Sequence, residues 1–200
     1  MANEYFVNSA DLAAIANAIR SKGGTTESLV FPNGFVEAIE NIVCNVQPDI
    51  LYLYNEGDMC VAESGGWSTK DIPVSSSYPN YKAHPTVVQN ESSIKVSIVG
   101  NAHGYWHTTS MVDLTGYKTL VFEIADGTLT SGNGNIDISI RSSLNGYRGD
   151  YNVKTVRLTN KGTVSIDVSD LNAAYYIGLS MYSSVSATLT QVYLVSEKKA

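Results

Sequence analysis

The chain is short of charge, of sulfur and of long apolar runs, and each shortage removes a class of function. Charged side chains are only 16% of its 200 residues, and 13 basic against 19 acidic groups give a formal net charge of -6. No Lys/Arg cluster is present to follow a phosphate backbone, so nucleic acid is not an expected partner. The two cysteines, Cys44 and Cys60, follow no metal-ligand spacing, and in a chain made in a reducing compartment two free thiols are expected rather than a disulfide. No apolar run approaches the roughly 20 residues that span a bilayer, and the opening residues carry no basic leader. Membrane insertion is not expected; accumulation in the cytoplasm of the producing cell is.

Catalytic signatures are missing too. The sequence contains no Gly-x-Ser-x-Gly, no phosphate loop, no dinucleotide fingerprint and no HExxH. Glu123 and Asp137, expected on neighbouring strands, could satisfy the separation that glycoside hydrolysis needs, but so could outward-facing acids in almost any sandwich. The expectation is a protein that is not an enzyme, with glycan depolymerase as the less favoured alternative.

What the chain does have is tyrosine, glycine and alternation. With 13 Tyr, 16 Gly and 44% hydrophobic residues, it suits strands joined by tight turns and a surface of hydroxyls and rings. In the stretch 112–124, VDLTGYKTLVFEI, a turn carrying Asp113 and Gly116 feeds a strand with Leu120, Phe122 and Ile124 on one face and Thr119, Val121 and Glu123 on the other. The same pattern recurs at Ile94, Val96 and Ile98, at Ile136, Ile138 and Ile140, at Val164, Ile166 and Val168, and at Ile177, Leu179 and Met181. Eight or nine such strands predict a two-sheet antiparallel β-sandwich over residues 46–200. Residues 71–92, holding Pro73, Pro79 and Pro85, read as a long surface excursion with at most an edge strand at 86–89. Asn145-Gly146 reads as a hairpin turn.

Residues 1–45 form a separate module of helix, short strand, turn and helix. Leu12, Ile15, Ala16 and Ile19 share one stripe, Leu29, Val30 and Phe31 make an extended run, and Phe35, Val36, Ile39, Ile42 and Val43 mark a second helix. A unit of under about 40 residues rarely buries enough area to stand alone, so its apolar stripes need a partner surface. Leu12, Ile15, Ile19, Phe31, Phe35, Ile39 and Ile42 are the candidate docking or oligomerisation residues. Packing against the sandwich is the alternative.

The run SADLAAIANAIRSKGGT followed by LVFPNGFVEAIENI, residues 9–42, resembles a module of tail and other virion proteins of phages and prophages of Gram-positive gut bacteria. The resemblance implies a virion protein, assembled in the host cytoplasm, whose module attaches it to other virion proteins or to its sister chains. A homo-oligomer follows, with a trimer preferred by analogy. The phrases at 112–120 and 165–179, VDLTGYKTL and SIDVSDL followed by YYIGL, resemble galactose-binding-like jelly rolls, the fold of many carbohydrate-binding modules. The Gly65-Gly66-Trp67 stretch resembles the opening of jelly rolls in the same phage proteins. These resemblances imply a sandwich that displays a surface for host glycans; a purely structural virion component is the alternative.

The rings of such a surface would come from His103, Tyr105, Trp106 and His107, from Trp67 in its Gly-rich setting, and from Tyr147, Arg148 and Tyr151 after the expected hairpin turn. Core burial of Trp106, with the histidines as exposed bystanders, is the competing reading. The two histidines lack neighbouring Cys or carboxylate and are not expected to hold a metal. Carbohydrate-binding relatives often carry a structural calcium, to which Asp58 and Asp126 could contribute, but no Ca-binding loop is spelled out and no cofactor is assigned. Arg148-Gly149-Asp150 reads as a chance tripeptide rather than an adhesion motif.

Overall fold

The computed structural model describes residues 9–23, 28–40 and 49–196. The chain divides into two compact units, Met1–Val46 and Gln47–Ala200. In the first, α1 (Ser9–Gly23) and α2 (Asn33–Glu40) bury Ala16, Ile19 and Phe35 between them, with Leu29 and Ala38 packed alongside. Ile15 and Phe31, expected in the same apolar set, are exposed, and Phe31 stands edge-on to Phe35 at 5.6 Å. The short strand expected at 29–31 does not form. A strand needs a partner edge; residues 28–30 instead run into a turn, where the Gly34 N–H donates to Val30 O at 2.7 Å and the Phe35 N–H to Pro32 O at 3.1 Å. Ile42, and the side chain of Ile39, lie outside the described residues.

The second unit is a sandwich of two antiparallel sheets. Its strands are β1 (Ile50–Asn55), β2 (Trp67–Asp71), β3 (Thr86–Gln89), β4 (Ile94–Ile98), β5 (His103–Thr108), β6 (Val112–Asp113) and β7 (Tyr117–Asp126), then β8 (Thr130–Ser131), β9 (Gly134–Arg141), β10 (Asn152–Arg157), β11 (Gly162–Asp167), β12 (Ala174–Tyr182) and β13 (Val185–Ser196). A four-residue helix, α3 (Val61–Ser64), interrupts them where no helical period was legible. The six-stranded sheet runs β11-β7-β13-β4-β3, with β1 also on β13; the seven-stranded sheet runs β10-β9-β12-β5-β2, with β6 on β12 and β8 on β9. Residues 86–89 form the edge strand foreseen, whereas Trp67, whose Gly-rich setting favours a loop, opens a strand.

The alternation that predicts the strands also builds the core. Leu120, Phe122 and Ile124 from β7, Ile136, Ile138 and Ile140 from β9, and Ile177, Leu179 and Met181 from β12 all belong to one buried cluster. The two sheets differ on their other faces. Strand β4 alternates buried and open, as a sheet wetted on one side should. Strands β5 and β9 are buried at every position, so the outer face of the seven-stranded sheet is covered as well.

Glu123 and Asp137 therefore do not share a cleft. Glu123 lies on the outer face of the six-stranded sheet, accepting from Thr163 Oγ1 at 2.8 Å and Tyr193 OH at 3.2 Å, whereas Asp137 lies on the outer face of the opposite sheet. The core separates them. Among the described residues no three His, Cys, Asp or Glu side chains converge as a metal site: Asp126 pairs with Lys161, and Asp58 Oδ1 accepts the Cys60 N–H at 3.0 Å. Cys60 is a free thiol, half-buried, its pKa raised to about 11 by burial and then by Asp58 and Glu63; Cys44 lies outside the described residues.

Candidate functional site

The covered face is polar. Antiparallel register sets Asn135, Asp137, Ser139 and Arg141 of β9 beside Tyr182, Ser180, Gly178 and Tyr176 of β12, and these beside His103, Tyr105 and His107 of β5. Each such residue points away from the apolar core because its neighbours in the strand point into it. The cover is the connection from β9 to β10, residues 142–151, together with the excursion that begins at residue 72.

Buried polar groups need partners, and most here have them. Carbonyls only accept, so His103 Nδ1–H donates to Ile72 O at 2.8 Å, which leaves Nε2 to accept from Ser180 Oγ–H at 2.8 Å. Burial, with Arg148 and Arg141 nearby, lowers the His103 pKa to about 4, so the ring is neutral at physiological pH. Burial also lowers the pKa of His107, whose Nδ1–H donates to Thr108 O at 2.8 Å. Tyr105 donates to Ser139 O at 2.8 Å, crossing above Gly178, where a Cβ would strike the Trp106 carbonyl oxygen.

Two arginines fix the cover. Arg141 is fully buried over the Tyr105 ring, and its guanidinium donates to the carbonyls of Ser143 at 3.0 Å, Asn145 at 3.2 Å and Tyr147 at 3.5 Å. Arg148 reaches inward over the Tyr182 ring to Asn135 Oδ1 at 2.8 Å and Asp137 Oδ2 at 3.1 Å, and its backbone N–H donates to Pro73 O at 2.9 Å. Asp137 also binds Arg157 and accepts from Asn135 Nδ2 at 2.8 Å. Asp150 Oδ2 takes the Tyr147 N–H at 2.9 Å, closing the turn around Gly146, which holds φ at +83°. Arg148 and Asp150 are thus both engaged within the fold and form no displayed tripeptide.

The expected rings fall into two groups. His103, Tyr105, Trp106 and His107 are all buried and offer no face to a ligand from solution. Trp106 points into the core and stacks on Trp67 at 3.9 Å, and Trp67 Nε1 donates to Leu53 O at 2.8 Å; both indoles serve packing. Tyr147 and Tyr151 remain exposed, at 37% and 53%. Tyr78 and Tyr81, at 55% and 42% and edge-on to each other, are the rings that sequence reasoning missed. Among the described residues of the second unit, these four are all of the exposed Tyr, Trp and Phe rings, and all four sit on the two covering segments. Arg141 and Ser139, which the alternation around Ile138 and Ile140 turns away from the core, were not among the candidate residues.

No family model matches the sequence, and neither does any curated protein sequence. Solved structures do resemble it. A xylan-binding module from the gut symbiont Roseburia intestinalis is 11% identical, covers 66% of this chain and 96% of its own, and superposes with a TM-score of 0.42. The family 11 carbohydrate-binding module of a Clostridium thermocellum cellulase is 15% identical over 66% of this chain and 88% of its own, with a TM-score of 0.41. A Streptococcus pneumoniae fucose-binding module is 16% identical over 76% of this chain and all 100% of its own, with a TM-score of 0.40. At such identities the likeness concerns the sandwich and no ligand.

Proposed function

We propose that this chain is a phage virion surface protein whose sandwich recognises a host-surface glycan and whose helical unit docks it to the particle or to sister chains. One observation carries the glycan half. The exposed tyrosines among the described residues of the sandwich, Tyr78, Tyr81, Tyr147 and Tyr151, lie on two segments joined by the hydrogen bond from Arg148 N–H to Pro73 O. Tyrosine combines an apolar face for a sugar ring with a hydroxyl for its polar edge, at little entropic cost. The docking half is supported by the likeness of residues 9–42 to virion modules and by a groove of about 260 Å³ whose apolar residues Leu12, Ala16, Leu29, Phe31 and Phe35 are joined by Arg20 and Ser28. Three-fold assembly remains part of this proposal by analogy.

The test is a glycan array probed with the full chain and with Tyr78→Ala, Tyr147→Ala and Tyr151→Ala. Binding lost in these variants and kept in Trp67→Phe supports the reading; a blank array with folded protein sinks it. Removing residues 1–45 tests docking separately, through oligomeric state and incorporation into particles. A purely structural component is the second reading, favoured by the cover over the sheet, and a blank array would select it.

A further inference from the structure

Among the described residues, three buried polar atoms on the covered face have no hydrogen-bond partner: Ser139 Oγ, Arg141 Nη1 and Asn152 Oδ1. They are neighbours. Ser139 and Arg141 are two residues apart on the same side of β9, and Asn152 is directly opposite Arg141 on β10. Ordinarily such groups are satisfied, and an unsatisfied one weakens the fold by a kcal/mol or more. The guanidinium is the sharpest case, since it is fully buried and held only by carbonyls, with no carboxylate in an ion pair with it among the described residues. Asp150, the nearest acid to act on it, gives its oxygen to the Tyr147 N–H.

The surroundings are cationic in an acidic protein. Lys70, Arg141, Arg148 and Arg157 line this face and its cover, against Asp137 and Asp150. One cationic donor, one hydroxyl and one amide carbonyl make a set that a hydroxylated carboxylate completes. Its carboxylate accepts from Arg141 and Ser139, and its hydroxyl donates to Asn152 Oδ1.

We infer that the cluster of Arg141, Ser139 and Asn152 beneath residues 142–151 is a subsite for a sugar acid, reached when that segment lifts. The inference rests on the glycan reading above and narrows it to acidic glycans. Lifting exchanges the carbonyls of Ser143, Asn145 and Tyr147 on Arg141 for the ligand's carboxylate. It also frees Arg148 without baring a carboxylate, because Asp137 keeps Arg157 on the adjoining strand.

The experiment is titration calorimetry of the full chain with a tetrasaccharide of galacturonic acid and with the same tetrasaccharide reduced at every carboxyl to CH2OH. The acidic form is expected to bind at least about tenfold tighter, the worth of one charge-assisted hydrogen bond. Arg141 variants can lose the cover altogether, so Ser139→Ala is the decisive one: its hydroxyl has no bond to lose in the free protein, and its melting temperature should not fall. Ser139→Ala should weaken the acidic ligand several-fold and leave the reduced one unchanged. Equal affinity for the two ligands overturns the acidic subsite while the glycan reading stands. An acidic preference untouched by Ser139→Ala traces to diffuse charge and also overturns it. If neither ligand binds and the array is blank, both readings fall.

Discussion

Trp67 and Trp106 lie ring upon ring, their centroids 3.9 Å apart and their planes 12° from parallel. The pair joins β2 to β5 at the end of the core, and Trp67 Nε1 ties the stack to β1 through Leu53 O. Trp106→Ala should lower unfolding free energy by about 3–5 kcal/mol, as expected for a buried aromatic. Trp67→Ala, at a half-buried site, should cost less. A double-mutant cycle by urea unfolding should return a coupling of about 1 kcal/mol. Additive losses would mean that the stack contributes nothing beyond area.

His103 gives the fold a pH dependence with a defined sign. Its folded pKa is lowered from 6.5 to about 4, so between those values the unfolded chain takes up a proton that the native protein refuses. Stability is full above pH 6.5, falls as pH drops toward 4, and gains no further slope from this residue below that. The whole shift corresponds to about 3 kcal/mol. In His103→Asn, which keeps a donor for Ile72 O, unfolding curves taken between pH 7 and 4 should lose this residue's share of the slope and keep that of His107, whose pKa burial also lowers. A slope equal to that of the parent would assign it to another group.

Strand positions in the core were legible because a period of two leaves few alternatives: Ile136, Ile138 and Ile140 could face only one way once β9 was recognised. The burial of the other face was not. Nothing local in Asp137, Ser139 and Arg141 distinguishes a wetted face from a covered one, since the cover comes from residues 142–151 and from distant residue 72. Asn145-Gly146 does lie in the connection of the β9-β10 hairpin, but that connection runs over residues 142–151, and Arg141 draws three of its carbonyls inward. At 103–107 the structure agrees with the core reading of Trp106, but the histidines read as exposed beside it are buried, for the same reason. The composition of this stretch suits a sugar platform, but its register sends Trp106 to the core and its neighbours beneath the cover.

Among its described residues the helical unit buries three side chains together, so it should be sensitive to the largest of them. Phe35 also makes the edge contact with Phe31. Phe35→Ala should remove about 3 kcal/mol or more, enough to melt so small a unit. The check is loss of helical circular dichroism at 222 nm. Retained helicity would show that a partner surface, and not this small core, holds the helices.

Arg148 and Asp137 make opposite predictions about the cover although they bind each other. Removing Arg148 takes away the bonds to Asn135 and Asp137 and the cation over Tyr182, but Asp137 keeps Arg157. Arg148→Met should therefore cost only about 1–2 kcal/mol overall while loosening residues 142–151, seen as faster protease cleavage within that segment. Removing Asp137 deprives two arginines and Asn135 of their shared acceptor. Such a loss at a buried ion pair costs about 3–5 kcal/mol, so Asp137→Ala should lower the global urea midpoint as well as opening the segment. Equal stability losses for the two variants would mean that Arg157 does not hold Asp137 on its own. The cover would then be a fixed part of the sandwich rather than a segment able to lift.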